Sequence, residues 1–358
     1  YKKALELNPS HAKTYNNLGT LLLDLGKFDE AEVSYRKAIE FKNDYAEAYN
    51  GLGSVLKDLG KLNEAEVNYR KAINLKPNYI EAHYNLGIIL FSLKNYKEAA
   101  EKFKLINIKN SKELFLKCLL KLDEKSNFYN QLDSLINQGV TNSIIGSLTS
   151  LAEIKYGINK ENSFCNNPLN YVLKTDLAKQ CNFKNTFIKI AENFLTDHTV
   201  QKKFQTLLTN GVQTSGNIFN QGAKDMDLIK EIIYSEIEKY RAHFKDKEEG
   251  FLKNWPTNYF INGWLISMKS GGSLSPHMHE LSWISGSIYI NVPPKSKADS
   301  GNLVVCIGDK INETTSEKKI VDVVTGSMCL FPSSLYHYTI PFEADEDRIV
   351  LAFDILQK

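Results

Sequence analysis

The chain is 358 residues long, too long for one ordinary domain, so length alone points to two. Hydrophobic residues make up 42% and charged residues 24%, a globular balance that argues against wholesale disorder or a fibrous repeat. Lys+Arg 44 against Asp+Glu 42 leaves a formal charge of +2, with no basic field for nucleic acid, and no apolar run approaches the roughly 20 residues that span a bilayer. Five widely spaced cysteines without a CxxC favour reduced thiols in a cytoplasm over a disulfide framework or a structural zinc.

Repetition comes first along the chain. Gly19, Gly53 and Gly87 stand 34 residues apart, and the same step relates Leu18, Leu52 and Leu86, then Ala31, Ala65 and Ala99, then Tyr35, Tyr69 and Phe103. A repeat of that length with small residues at fixed helix crossings resembles tetratricopeptide repeats. The glycines and alanines let paired helices approach closely, and Tyr35 and Tyr69 fill the gap to the next repeat. Pro9 and Pro77 stop the second helix, with Asn43 where a third proline would stand. Tyr1 and Ala4 fall 34 residues before Tyr35 and Ala38, so the chain is expected to start inside the last helix of an earlier repeat, as a piece of a longer protein. The resemblance implies an all-α solenoid over 1–108 whose concave face holds peptides. Asn16, Asn17, Asn50 and Asn85, among Tyr15, Tyr49 and Tyr84, suit clamping of an extended peptide backbone. The alternative is that they satisfy hydrogen bonds between helices.

After 107 the period fades. Residues 111–122 and 126–137 keep helical apolar spacing, and 109–155 reads as a helical cap or decayed repeat. The polar stretch 156–167 reads as a linker. Residues 184–195 and 224–244 read as amphipathic helices, the second with Ile229, Ile232, Ile233, Ile237 and Tyr240 on one face.

From 258 the pattern switches to strands. NYFINGWLISM, WISGSIYINV, NLVVCIG, SMCLFP, HYTIPF and RIVLAFDI are β-branched or aromatic and separated by turn residues, which describes an antiparallel sandwich or barrel. Three of the seven histidines fall here. His277 and His279 are two apart, so one strand would point both to one face, and His337 follows a distant strand. Two ligands from one strand and a third from another is an economical way to hold an open metal site in a jelly roll, with three octahedral positions left over. Arg348, a rigid guanidinium beside such a metal, suits a bidentate carboxylate.

HMH, FPSSLYH and RIVLAFD together resemble the iron(II)/2-oxoglutarate-dependent oxygenase superfamily, of the prolyl-hydroxylase-like kind. GVQTSGNIF, NPLNYV, GWLISMKSGG and SGSIYI resemble oxygenases fused to tetratricopeptide repeats. This resemblance covers about 160–358. It implies a C-terminal double-stranded β-helix (jelly roll), core 256–358, with flanking helices. It also implies iron(II) on His277, His279 and His337, 2-oxoglutarate on Arg348, and oxygen as co-substrate. Tyr289, on one strand face with Ser285 and Ser287, is a second donor to 2-oxoglutarate or a core tyrosine.

The superfamily carries an acid two residues after the first histidine, where this chain has His279. Rival sites omit His279 as a ligand or let Glu280 bind through a shifted strand. A neutral imidazole in place of the acid leaves one more positive charge for a dianion, and metal affinity is expected to fall near pH 6. Trp264, Met268 and Asp354 are candidates for the substrate pocket, with polar loops 294–301 and 309–319 beside it. Gln213 could contact substrate or fix a turn, with the turn preferred.

The function so implied is a cytoplasmic dioxygenase that hydroxylates a peptide or protein side chain presented by the repeats, with no nucleic-acid or membrane partner. Two other readings stand. A cupin-type metal dioxygenase without 2-oxoglutarate matches some spacings but gives Arg348 no role, and a catalytically dead repeat scaffold needs no site at all.

Overall fold

The computed structural model describes residues 1–108, 110–198, 200, 202–203, 205, 207–220, 224–308 and 317–358. Of the two polar loops expected beside the pocket, 309–316 lie outside the described residues. The chain divides into two compact units, Tyr1–Leu132 and Asp133–Lys358.

The first unit is helical. After α1 (Lys2–Leu7) come three antiparallel pairs: α2 (Ala12–Asp24) with α3 (Phe28–Phe41), α4 (Ala46–Asp58) with α5 (Leu62–Leu75), and α6 (Ile80–Ser92) with α7 (Tyr96–Lys104). Then α8 (Ser111–Lys121) packs on α7, and α9 (Lys125–Asn137) runs across the division between the units. The 34-residue step has a packing cause. A Cβ on Gly53 would lie 2.8 Å from the Tyr69 ring, and one on Gly87 2.7 Å from Phe103, so each aromatic rests on bare backbone. Tyr35 bonds Thr20 through their hydroxyls at 3.0 Å, and Tyr69 bonds Ser54 at 3.1 Å. In the third repeat Phe103 has lost the hydroxyl, and Ile88 stands where Thr20 and Ser54 stand. A buried hydroxyl without a partner costs about 1–3 kcal/mol, so losing both is cheaper than losing one.

The second unit begins with α10 (Ser143–Tyr156). Its strands are β1 (Leu173–Asp176), β2 (Lys202–Lys203), β3 (Leu208–Thr214), β4 (Tyr259–His277), β5 (Ser282–Asn291), β6 (Leu303–Cys306), β7 (Lys318–Val321), β8 (Ser327–Pro332), β9 (Tyr336–Thr339) and β10 (Arg348–Gln357). They pair antiparallel in the order β1-β8-β5-β10-β4-β9-β6-β7, with β3 on β4 and β2 on β3. A Lys184–Ile188 π-turn runs into α11 (Lys189–Thr196); α12 (Lys224–His243) and α13 (Gly250–Lys253) follow. The antiparallel near-barrel with flanking helices is the class that the strand pattern and the resemblance implied.

Strand β4 holds it together. Its first half pairs with β10, its middle with β3, and its end, past a bulge, with β9. One strand thus joins three pairings within a single ten-stranded sheet. Period-two alternation then sorts β5 and β10. Ile284, Ile288 and Ile290 of β5, with Leu351, Phe353 and Ile355 of β10, pack on Ile229, Ile233, Ile237 and Tyr240 of α12. Ser285, Ser287 and Tyr289, with Arg348, Val350, Ala352 and Asp354, take the opposite, inner face. Strand β4 runs to His277, nine residues beyond the expected end at 268, while β1, β2, β3 and β7 are additions to the expected strands. Among the described residues, no helix is long and apolar enough to cross a membrane. All five cysteines are free, four of them buried.

The turns between paired helices need a left-handed residue. Gly26 (φ 73°) and Gly60 (φ 77°) supply it, but the third repeat uses Lys94 (φ 64°). Replacing Lys94→Gly is expected to raise the stability of the repeat unit by about 1 kcal/mol, and Gly60→Lys to lower it similarly, read from chemical unfolding.

Candidate active site

His277 closes β4, and His337 on β9 is its direct cross-strand partner. His279 is not on the strand as expected. β4 ends at His277, and His279 sits in the turn before β5. The turn, rather than strand periodicity, folds it back onto the other two. The ring centroids lie 4.2 Å (277–337), 4.8 Å (279–337) and 5.1 Å (277–279) apart, and one nitrogen from each lies within 4.8 Å of the others. The cluster that can hold a metal consists of these three without Glu280. Glu280 is in the turn, where its carbonyl accepts from Ser143 Oγ at 3.0 Å.

The hydrogen bonds assign the tautomers. His277 Nδ1 lies 2.9 Å from the Ser275 carbonyl, which only accepts, so Nδ1 carries the proton and Nε2 is free to ligate. His279 Nδ1 lies 2.6 Å from Asp354 Oδ1, with the same consequence. His337 is buried, and its Nδ1 has no hydrogen-bond partner. Burial, then the neighbouring His279, lowers the His277 pKa to about 4; burial pushes His337 well below the ordinary value, with His277 and His279 adding to it. Burial thus disfavours the charged form of both rings and favours the neutral form that a metal ligand needs. Three converging imidazoles, one with an orphaned buried nitrogen, fit a divalent first-row metal such as iron(II).

Arg348 is 1% exposed and lines the same cavity as the three histidines. Its Nε donates to the Gly301 carbonyl at 3.1 Å, and its guanidinium lies 5.1 Å from the centroid of the Tyr289 ring. Among the described residues no carboxylate pairs with it. Burial lowers its pKa, which measures the cost of keeping this charge out of water. Tyr289 is also buried in the cavity wall; burial raises its pKa, and its hydroxyl accepts from Ser287 Oγ at 3.1 Å.

Trp264 and Met268 line the cavity, and Trp264 lies edge-on to His279 at 5.4 Å. Asp354 does not line it. Expected at the substrate, it stands behind His279 instead, because alternation turns it inward at the level of the HMH turn. For Gln213 a turn was preferred over a substrate contact, yet it is on β3, 4% exposed and in the cavity wall, while its neighbour Val212 is 42% exposed. Apolar out and polar in is the reverse of a packing strand, and that inversion is the signal that could have found it.

In the first unit the asparagines are half-buried and partly committed to one another. Asn85 Nδ2 donates to Asn50 Oδ1 at 3.0 Å, and Asn16 Nδ2 lies 3.4 Å from Asn17 Oδ1. The Asn16 Oδ1 is buried without a partner.

A family model described as "Putative 2OG-Fe(II) oxygenase" matches residues 262–354, and tetratricopeptide-repeat models match 1–33, 19–60 and 53–94. No curated protein matches the chain. Among solved structures it is similar to YrrB, a TPR protein with an unusual peptide-binding site (24% identity, 45% of this chain and 85% of that one, TM-score 0.41). It is also similar to the first TPR domain of Spaghetti (RPAP3) bound to an HSP90 peptide (22%, 32% and 94%, TM-score 0.31), and to a Pseudomonas putida prolyl-4-hydroxylase (12%, 52% and 92%, TM-score 0.39). The chain thus carries tetratricopeptide repeats followed by a 2-oxoglutarate/iron(II) oxygenase domain.

Gly301, whose carbonyl holds Arg348, has φ 70°. Gly301→Val is expected to cost about 1–2 kcal/mol from the left-handed backbone, seen as a lowered unfolding midpoint.

Proposed function

We propose that the chain is an iron(II)- and 2-oxoglutarate-dependent dioxygenase that hydroxylates a side chain of a peptide or protein held by its repeat unit, with proline the first residue to test. The observation that carries this reading is Arg348: a buried guanidinium with no carboxylate beside it, in one cavity with three converging histidines. A buried charge without a partner is costly, and a carboxylate of a bound 2-oxo acid repays it in bidentate geometry. A metal enzyme without 2-oxoglutarate would leave that charge uncompensated.

His277, His279 and His337 would hold the iron. When bound, the iron supplies the redox chemistry that couples decarboxylation of 2-oxoglutarate to succinate with insertion of one oxygen atom of O2 into a substrate C–H bond. The chain's own residues bind, orient and exclude water. Arg348 takes the far carboxylate, with its Nε held by the Gly301 carbonyl and its face against Tyr289. The Tyr289 hydroxyl is a second donor. Trp264, Met268, Leu274 and Phe331 make the cavity wall dry.

The repeats raise the local concentration of a tethered substrate without adding contacts at the iron. Asn17, Asn50 and Asn85 carry half-buried amides on the first helices of successive pairs, where a peptide backbone can be clamped.

Two outcomes test the reading. Arg348→Ala is expected to weaken 2-oxoglutarate by at least about 30-fold, about 2 kcal/mol, in an anaerobic titration of the iron(II) protein that follows the metal-to-ligand charge-transfer band. It should leave iron binding unchanged, whereas His337→Ala abolishes it; an undiminished band in Arg348→Ala would remove the central residue. For the groove, proline-containing peptides are scored by mass spectrometry for a gain of one oxygen. Asn17→Ala with Asn85→Ala is expected to raise KM for an accepted peptide about tenfold and to spare kcat, as loss of about 1–2 kcal/mol of uniform binding requires.

A further inference from the structure

Asp354 is 7% exposed, and among the described residues no lysine or arginine pairs with it. Its Oδ1 accepts from His279 Nδ1–H at 2.6 Å and from Ser285 Oγ–H at 3.1 Å. Ser285 is its cross-strand partner on β5; the Ser285 Oγ lies 3.3 Å from His279 Nδ1 and 2.8 Å from Ser333 Oγ. With the Ser285 proton given to Asp354, Ser333 is the donor in the last bond. Ser285 is 1% exposed and Ser333 0%, so the whole relay is dry.

We propose that Asp354 is the positioning residue of the metal centre. It holds His279 in the tautomer with Nδ1 protonated, which leaves Nε2 as the ligand, and it supplies through one hydrogen bond the negative charge that three imidazoles lack. The inference rests on the reading of the three histidines as ligands. Three facts support it. His279 is in a turn, so no strand pleat fixes its ring and something else has to. The 2.6 Å contact is of the short, charge-assisted kind. A buried carboxylate with no lysine or arginine beside it is a poor arrangement in itself, and becomes a good one once the far nitrogen of the ring it holds carries a cation. Ser285 and Ser333 set the position of the carboxylate oxygen, and Trp264 bounds the ring on another side.

The test uses the full chain and manganese(II) alone, with affinity measured calorimetrically. Asp354→Asn keeps the shape and removes the charge; it is expected to weaken manganese(II) by about 10–100-fold. In a His279→Asp background there is no N–H for residue 354 to hold, and the carboxylate is on the metal itself, so Asp354→Asn is expected to leave affinity unchanged or improve it. A role confined to packing would cost the same in both backgrounds. Equal affinity of the wild type and Asp354→Asn, or an equal loss in the two backgrounds, overturns the positioning role. A wild type that binds no manganese(II), or a His337→Ala variant that binds it undiminished, overturns instead the ligand reading beneath it. Thermal melting checks that Asp354→Asn is folded. If it is not, Ser285→Ala, which removes a donor from the same oxygen and keeps the carboxylate, is expected to weaken manganese(II) about threefold, and no change there overturns the proposal.

Discussion

A guanidinium sealed inside the near-barrel with no carboxylate opposite it is the constraint on which the second unit turns. Water solvates an exposed arginine at no cost, but neither face of β10 offers water: one lines the cavity and the other packs on α12, so shifting β10 by one residue would have turned this one into the helical core. The register forbids the shift, because Leu351, Phe353 and Ile355 would then leave the α12 core. The same alternation that buries three large apolar side chains on one face therefore commits Arg348 and Asp354 to the other. The helical face and the cavity are two consequences of one strand register.

That coupling decides what can be read from the sequence. The repeats were legible because their period is local: glycine, alanine and aromatic recur every 34 residues, and each contact spans one helix pair. The inner faces of β5 and β10 were legible too, since Tyr289 shares a face with Ser285, and Asp354 with Arg348, by counting in twos. What no period could show depended on pairings between distant strands, and there the residue types and the resemblance, not counting, brought the three histidines together. His277 and His337 are sixty residues apart, and only the β4–β9 register makes them neighbours. Counting in twos failed at His279, because the strand stops two residues short of it and a turn achieves the convergence instead. The same count placed Asp354 on the correct face, but facing a histidine rather than a substrate. Gln213 was ranked first as a turn residue for another reason: β3 shows its valine to solvent and its glutamine to the cavity, which reverses the pattern that marks a strand.

The two units are stabilised in contrasting ways. In the repeats, each aromatic lies on a glycine backbone of its own helix pair, and a hydroxyl pair is kept or dropped together, so a change is felt within one repeat and its neighbour. In the second unit β4 alone contacts β3, β9 and β10, so a change in its register moves the metal cluster, the cavity wall and the helical core at once. Local repeats tolerate drift of the kind seen at Phe103 and Ile88; a strand shared by three pairings does not.

Charge completes the argument. The chain is nearly neutral as a whole, and an extra imidazole in place of an acid suggests a centre too positive for its surroundings. Asp354 changes that sum. An iron(II), the Arg348 guanidinium, the Asp354 carboxylate and a 2-oxoglutarate dianion would cancel, so the loaded site would be neutral in surroundings that could not hold much net charge. Without the dianion the same site would carry two positive charges in a dry place. The carboxylate would thus act one hydrogen bond away from a metal rather than on it, keeping the charge balance that a ligating acid would have given.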